Sequence, residues 1–355
     1  MTPIATYTLN KNNNFNLIRF IAATLVLISH SFALLYGSSS FEPLKSTIGM
    51  TLGQIAVDIF FVTSGFLITQ SYLNKKSLTQ FIFARILRIY PALIVAVIFC
   101  VFIVGAFFTQ YSLTDYFSNF QTLRYLVRNI IVILGVDHFL PGVFETLPFK
   151  NSINGSLWTL PYELWMYLSL VLIYHLLNNI CAYSTKITAN NLVVIIFVIA
   201  FLLNVWYQFY PSILKTYLHL FTMFFCGVSF FLLKEKILLS QRGMIFCIVL
   251  LTASSFNQEI FSIVYRICLA YVIFYLAYIP AGLIRHFNKV GDYSYGMYIY
   301  AFPLQQSILA ITQDISIRTF VFSSLVSTLV LAMLSWHLIE KRSLKFKSKL
   351  SLKNQ

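Results

Sequence analysis

The stretch FNLIRFIAATLVLISHSFALLY, residues 15–36, is apolar for long enough to cross a lipid bilayer, yet it carries Arg19 and His30. On a helix the eleven intervening steps return to within roughly 20° of their starting direction and climb about 16 Å, so the two side chains leave one face at two depths. An ionisable side chain at such a depth costs several kcal/mol unless it faces a protein interior or a wet cavity. Arg19 and His30 therefore read as candidate functional groups. The alternative is an arginine snorkelling to the headgroups and a histidine satisfied by packing.

The rest of the chain follows this first span. Its 355 residues are 59% hydrophobic and only 10% charged, with 35 Phe and 22 Tyr. Soluble domains carry about 25% charged residues, so composition alone makes this a membrane protein. Apolar runs place spans at 15–36, 51–72, 90–108, 156–177, 191–209, 217–233, 244–256, 260–280, 293–311 and 318–338. The fold class is all-α, a polytopic bundle of about ten transmembrane helices. Residues 1–340 form a single transmembrane domain and 341–355 a basic tail that meets anionic membrane lipids at the inner leaflet. The N-terminal residues lack the features of a cleaved signal peptide, so the first span is expected to be an uncleaved anchor.

With both termini in the cytoplasm, inner segments collect Lys11, Arg19, Lys75, Lys76, Arg85, Arg88, Lys186, Lys234, Lys236, Arg242, Arg285, Lys289 and the basic tail. The outer side keeps Lys45, Arg124, Arg128, Lys150, Lys215 and Arg318. This imbalance obeys the positive-inside rule. It also explains the net charge of +14 without nucleic acid, which is excluded as a partner. The five cysteines have neither metal-ligand nor redox spacing, so no metal and no disulfide framework are expected. Two connections are long: 73–90 on the inner side, and 109–155 on the outer. The outer one is expected to hold an interfacial or re-entrant helix around residues 121–134.

Three further clusters stand out. Arg85 and Arg88, three residues apart at the expected membrane entry of the third span, share a helix face and can fork onto phosphate oxygens. With Arg19 they outline a cationic mouth suited to a phosphorylated cofactor such as coenzyme A, the alternative being an ordinary positive-inside cluster. Asp58 is a carboxylate in an apolar span and needs a partner; His30 is the obvious one, an ion pair with Arg19 the other. Glu163, in SLWTLPYELWMY (156–167), lies at the outer start of the fourth span among polar and aromatic residues that suit sugars. Glu163, Trp158, Tyr162 and Ser64 are the candidate carbohydrate-binding residues, against a reading as an aromatic belt. The single histidines 138, 175, 219, 286 and 337 read as structural.

Taken together, the Arg19-to-His30 spacing, the 58–68 block, Arg85-x-x-Arg88, the 154–167 block, Ser294-Tyr295-Gly296-Met297-Tyr298 and Ile339-Glu340 resemble the membrane-bound acyltransferase-3 family. The resemblance spreads over nearly the whole chain in family order. It implies O-acylation of cell-envelope carbohydrates from a cytoplasmic acyl-CoA, usually acetyl-CoA, in a bacterial inner membrane. His30 would be the catalytic histidine, with Asp58 supporting it and Arg19, Arg85 and Arg88 binding the donor. Two departures stand: Ala301-Phe302-Pro303 replaces a frequent His before the proline, and Arg342 replaces a frequent proline near the end. No C-terminal esterase-like domain of the kind some members carry is expected. A transporter or flippase for a lipid-linked glycan is the alternative from another class. Oligomeric state is not readable from these residues.

Overall fold

The structure is a computed structural model and describes residues 2–9, 12–74, 77–181, 188–210, 212–312 and 314–346. Lys11, Lys75, Lys76, Lys186 and most of the basic tail, 347–355, lie outside the described residues. The long helices are α1 (Phe15–Tyr36), α2 (Leu52–Leu73) and α3 (Leu78–Ile98), the last continuing through a π-helical segment, Phe99–Gly105, to Phe108. After the outer connection, which contains α4 (Phe120–Ile131), come α5 (Leu160–Cys181), α6 (Ala189–Phe209) and α7 (Lys215–Leu232). The chain closes with α8 (Gln241–Ser254), α9 (Gln258–Tyr278), α10 (Ser294–Ile311) and α11 (Ile317–Ser335). Strand structure among the described residues is confined to a two-residue pairing of Thr2–Pro3 with Leu238–Leu239.

Polar residues set the helix starts. Thr51 and Gln54 form a reciprocal capping box at α2. Ser77, Thr188, Ser240, Asn257 and Ser316 each accept a hydrogen bond from the first turn of the helix that follows. The Ser77 cap corrects one boundary: the third span begins at Leu78 rather than 90, so the expected inner loop is only a few residues long. Arg85 and Arg88 thus lie well inside a helix.

Contact register gives the helix directions. α1 and α2 are antiparallel, with Phe15 against Phe66 at one end and Ser29 bonded to Gly53 N at the other. α10 runs parallel to α1, from Arg19–Asp292 to His30–Phe302. The face holding Asn14, Asp292 and Glu340 is called proximal; that holding Gly37, Thr51 and Gln258 is distal.

Eight helices among the described residues are long and apolar enough to cross a membrane. The two other expected spans depart for different reasons. α8 has 14 residues, about 21 Å, yet it joins the proximal end of α7 to the distal start of α9. α10 is too polar to face lipid and is enclosed by protein; its buried Gln305 donates to Leu27 O and Ser31 Oγ, and its buried Gln306 to Phe149 O and Ser152 O.

α2 and α7 pack parallel and unusually close. A Cβ on Gly65 would stand 1.9 Å from the Phe224 carbonyl oxygen, and one on Gly227 2.0 Å from that of Val62. Two glycines facing each other across the crossing let the backbones touch.

The outer connection is re-entrant. Tyr116 Oη donates to Val101 O at 2.9 Å, and Tyr90 Oη to Ile131 O at 3.2 Å. The segment therefore descends alongside α3 by about 16 Å between these contacts. It returns as irregular chain, held by hydrogen bonds between Asn129 and Asp137 and from Thr109 Oγ1 to Pro141 O. Phe120, Leu123, Val127 and Ile131 leave an exposed apolar stripe along α4.

Candidate active site

Two cavities approach each other inside the bundle. The proximal one is lined by Arg19, Arg85, Arg88, Ser64, Glu163 and Tyr167, beneath Tyr298 and Thr159. The distal one is lined by Asp58, His219, Arg266, Lys45, Lys215 and Trp158. Val57 belongs to both walls. The distal cavity is the roomier, about 520 Å³ against about 110 Å³.

All three expected arginines meet at the proximal cavity, but not as a bare cationic mouth. Asp292 accepts from Arg19 Nη1 at 3.1 Å and from Arg88 Nη2 at 2.5 Å. Glu340, on the π-helical turn Trp336–Glu340 that follows α11, lies 3.5 Å from Arg88 Nη1 and accepts from Ser335. Burial by itself would raise the Asp292 carboxyl, but Arg88, Arg19 and the Ser294 hydrogen bonds hold it down at about 2. Arg85 makes no ion pair among the described residues, and its buried Nε has no hydrogen-bond partner. Of the three arginines it is the one without a carboxylate in ion-pair contact, with Glu163 the acid that shares its cavity wall.

The expected carbohydrate set divides. Ser64 and Glu163 both bond to the Tyr167 hydroxyl and line the proximal cavity with Arg85. Trp158 and Tyr162 instead pair edge-on and face a lateral groove beside the re-entrant tip, with Trp158 also reaching the distal cavity. Helical geometry explains the division: residues 158 and 162 are one turn apart, whereas 158 and 163 diverge by about 140°.

Asp58 does not pair with His30. Its two carboxylate oxygens take His219 Nε2 at 2.8 Å and Tyr265 Oη at 3.0 Å, because the Gly65–Gly227 crossing brings α7 against α2 and places His219 where a partner is needed. A carboxylate only accepts, so Nε2 carries the proton and Nδ1 of His219 is left basic. His30 packs edge-on to Phe302, ring centroids 5.3 Å apart, and its buried Nδ1 has no partner. It lines neither cavity, and Phe302, against which it packs, is one turn beyond Tyr298, which with Thr159 lines the proximal one.

α10 is shaped here by its proline. Pro303 has no N–H for the carbonyl of Ile299, and Asn154 Nδ2 donates to that oxygen at 2.8 Å. Gly155 follows because a Cβ there would meet the Phe302 ring at 2.5 Å. Thus the 154–167 block and the α10 block form one joint.

His219, expected to be structural, instead pairs with Asp58 in the distal wall, and Asp292, Tyr167, Tyr265 and Arg266 were not singled out by the sequence. Only Arg266 carried a direct signal, as an arginine well within an apolar span.

A family profile described as an acyltransferase domain matches residues 12–337. The chain is 30% identical over 355 residues to an O-acetyl transferase of Shigella phage Sf6, covering 97% of this chain and 100% of that protein. It is 31% identical over 179 residues to nodulation protein 10 of Rhizobium leguminosarum bv. viciae, covering 48% of this chain and 46% of that one. No solved structure matches. The full-length profile, the relative aligned end to end and the arginine-lined cavity within an all-helical bundle make this chain an acyltransferase of the membrane-bound acyltransferase-3 family.

Proposed function

We propose that the protein transfers an acyl group, acetyl in the simplest case, from cytoplasmic acyl-CoA to a hydroxyl of a bacterial envelope glycan outside the inner membrane. One observation carries this reading: the arginine-lined proximal cavity and the polar distal cavity share Val57 as a wall, so a donor from one side and an acceptor from the other need cross only a thin partition. Arg85 takes a donor phosphate, with Arg19 and Arg88 exchanging carboxylate partners for it, and Ser64, Glu163 and Tyr167 flank the arm. The acceptor hydroxyl loses its proton to a base as its oxygen attacks the thioester carbonyl. That proton then passes to the departing thiolate, giving an ester and free CoA thiol.

His30 is the proposed base, from the role the family resemblance implies and from a ring nitrogen left without a partner; since it lines neither cavity, the acceptor reaches it only if the packing around Phe302 opens. A second reading makes His219 the base, favoured by its Asp58 hydrogen bond and its place in the distal wall. Mass spectrometry of surface-glycan esters separates the two. His30→Ala should abolish esterification and His219→Asn should leave most of it; the opposite pattern transfers the role to His219. Acetyl-CoA titration of the purified Arg85→Ala protein should show weakened binding. Unaltered affinity would remove the donor from the proximal cavity.

A further inference from the structure

Arg266 is the least explained charge in the molecule. It lies on α9, is 6% exposed, and donates from Nη1 to the neutral Gln208 at 3.0 Å. It makes no ion pair among the described residues, and its buried Nε has no hydrogen-bond partner. Two acids share its cavity: Asp58, whose oxygens are taken by His219 and Tyr265, and Glu259, two helical turns away toward the distal start of α9. A buried guanidinium with unmet donors is costly unless an anion answers it.

Its position says which anion. Arg266 lines the polar distal cavity on one side and, on the other, an apolar crevice between α6, α7, α8 and α9 formed by residues such as Phe201, Phe230, Phe246 and Leu250. α8, at about 21 Å, connects the two faces over less than the usual thickness of the hydrocarbon core, which leaves that crevice beside a shortened helix. A soluble anion has no use for the apolar side, and an uncharged lipid none for the arginine.

We propose that this junction binds a phosphate carried on a hydrocarbon chain, with the chain in the crevice, the phosphate on Arg266, and the attached sugars in the distal cavity beside Asp58 and His219. The inference rests on the acyl transfer proposed above only in naming its acceptor as a lipid-linked glycan. Its test is binding, which reads out whether or not transfer occurs.

The full-length protein in phosphatidylcholine nanodiscs is titrated with dodecyl phosphate, dodecanol, inorganic phosphate and phosphatidylglycerol, and bound adducts are counted by native mass spectrometry. Dodecyl phosphate should bind most tightly. Arg266→Gln should weaken it about ten-fold or more, the value of a charge-assisted hydrogen bond. Arg266→Lys should keep part of the affinity, and Arg318→Gln, an equal loss of charge elsewhere, all of it. Leu250→Trp, which fills the crevice without touching the arginine, should weaken dodecyl phosphate but not inorganic phosphate. Equal binding of dodecanol reduces the site to an apolar groove; equal binding of inorganic phosphate makes it a soluble-anion site; equal binding of phosphatidylglycerol makes it ordinary lipid contact. Each of these, or full affinity in Arg266→Gln, overturns the proposal.

Discussion

Asp292 holds the proximal cavity together, since one of its carboxylate oxygens serves both Arg19 and Arg88. Replacing it by Asn leaves Arg19 without its ion pair and Arg88 with Glu340 alone; both guanidiniums are partly buried, so a loss of about 1–3 kcal/mol should register in thermal unfolding in detergent. The pH dependence has a definite sign. The carboxyl titrates near 4 in an unfolded chain and is held at about 2 when folded. Its contribution is therefore intact above about pH 4 and is lost as pH falls through about 2. Unfolding profiles between pH 5 and 2 should slope less steeply in Asp292→Asn than in the native protein; parallel slopes would mean that another acid governs this range. Asn154→Ala makes a second residue-level case. It orphans the Ile299 carbonyl beneath Pro303 and should cost about 1–3 kcal/mol, seen as a lowered melting temperature.

Among the elements, the α2–α7 crossing decides the most. Gly227→Ala puts a methyl group into the Val62 carbonyl, so the helices must separate, at roughly 1–3 kcal/mol. Because the same crossing fixes α2, whose Val57 is the wall shared by the two cavities, the substitution should also reduce esterification more than a surface change of equal stability cost. Gly282→Ala, with open space around the Cβ but a φ of 84°, serves as the backbone-strain comparison. If Gly227→Ala proteins are destabilised yet fully active per folded molecule, the crossing does not control the chemistry. The re-entrant element teaches a different lesson. Its amphipathic pattern was plain in the chain, but lying on the interface and dipping into it expose the same stripe; the Tyr90–Ile131 contact settles the question.

For the whole molecule, the alternation of contacts predicts that the connection after Gly37 and the segment around Gly142 lie on one side of the membrane, with the 282–290 segment on the other. Single-cysteine labelling with an impermeant reagent, in a background whose five native cysteines are replaced, should divide these positions accordingly. Labelling of all three from one side would break the ten-crossing arrangement. The all-helical polytopic fold, the family and the meeting of the three arginines were legible in the chain, because bilayer thickness and helical period translate directly into sequence spacing. Which acid answers which base was not. Asp58 lies 161 positions from His219, Arg88 lies 204 from Asp292, and both pairs were hidden by the assumption that signature residues pair with one another. The sequence by itself determined where helices run and which charges must find a partner, since those follow from local spacing and the cost of burial. Only the tertiary structure decided who the partners are, because glycine-permitted crossings and a proline-made gap in α10 bring distant helices into contact in ways that no local pattern encodes.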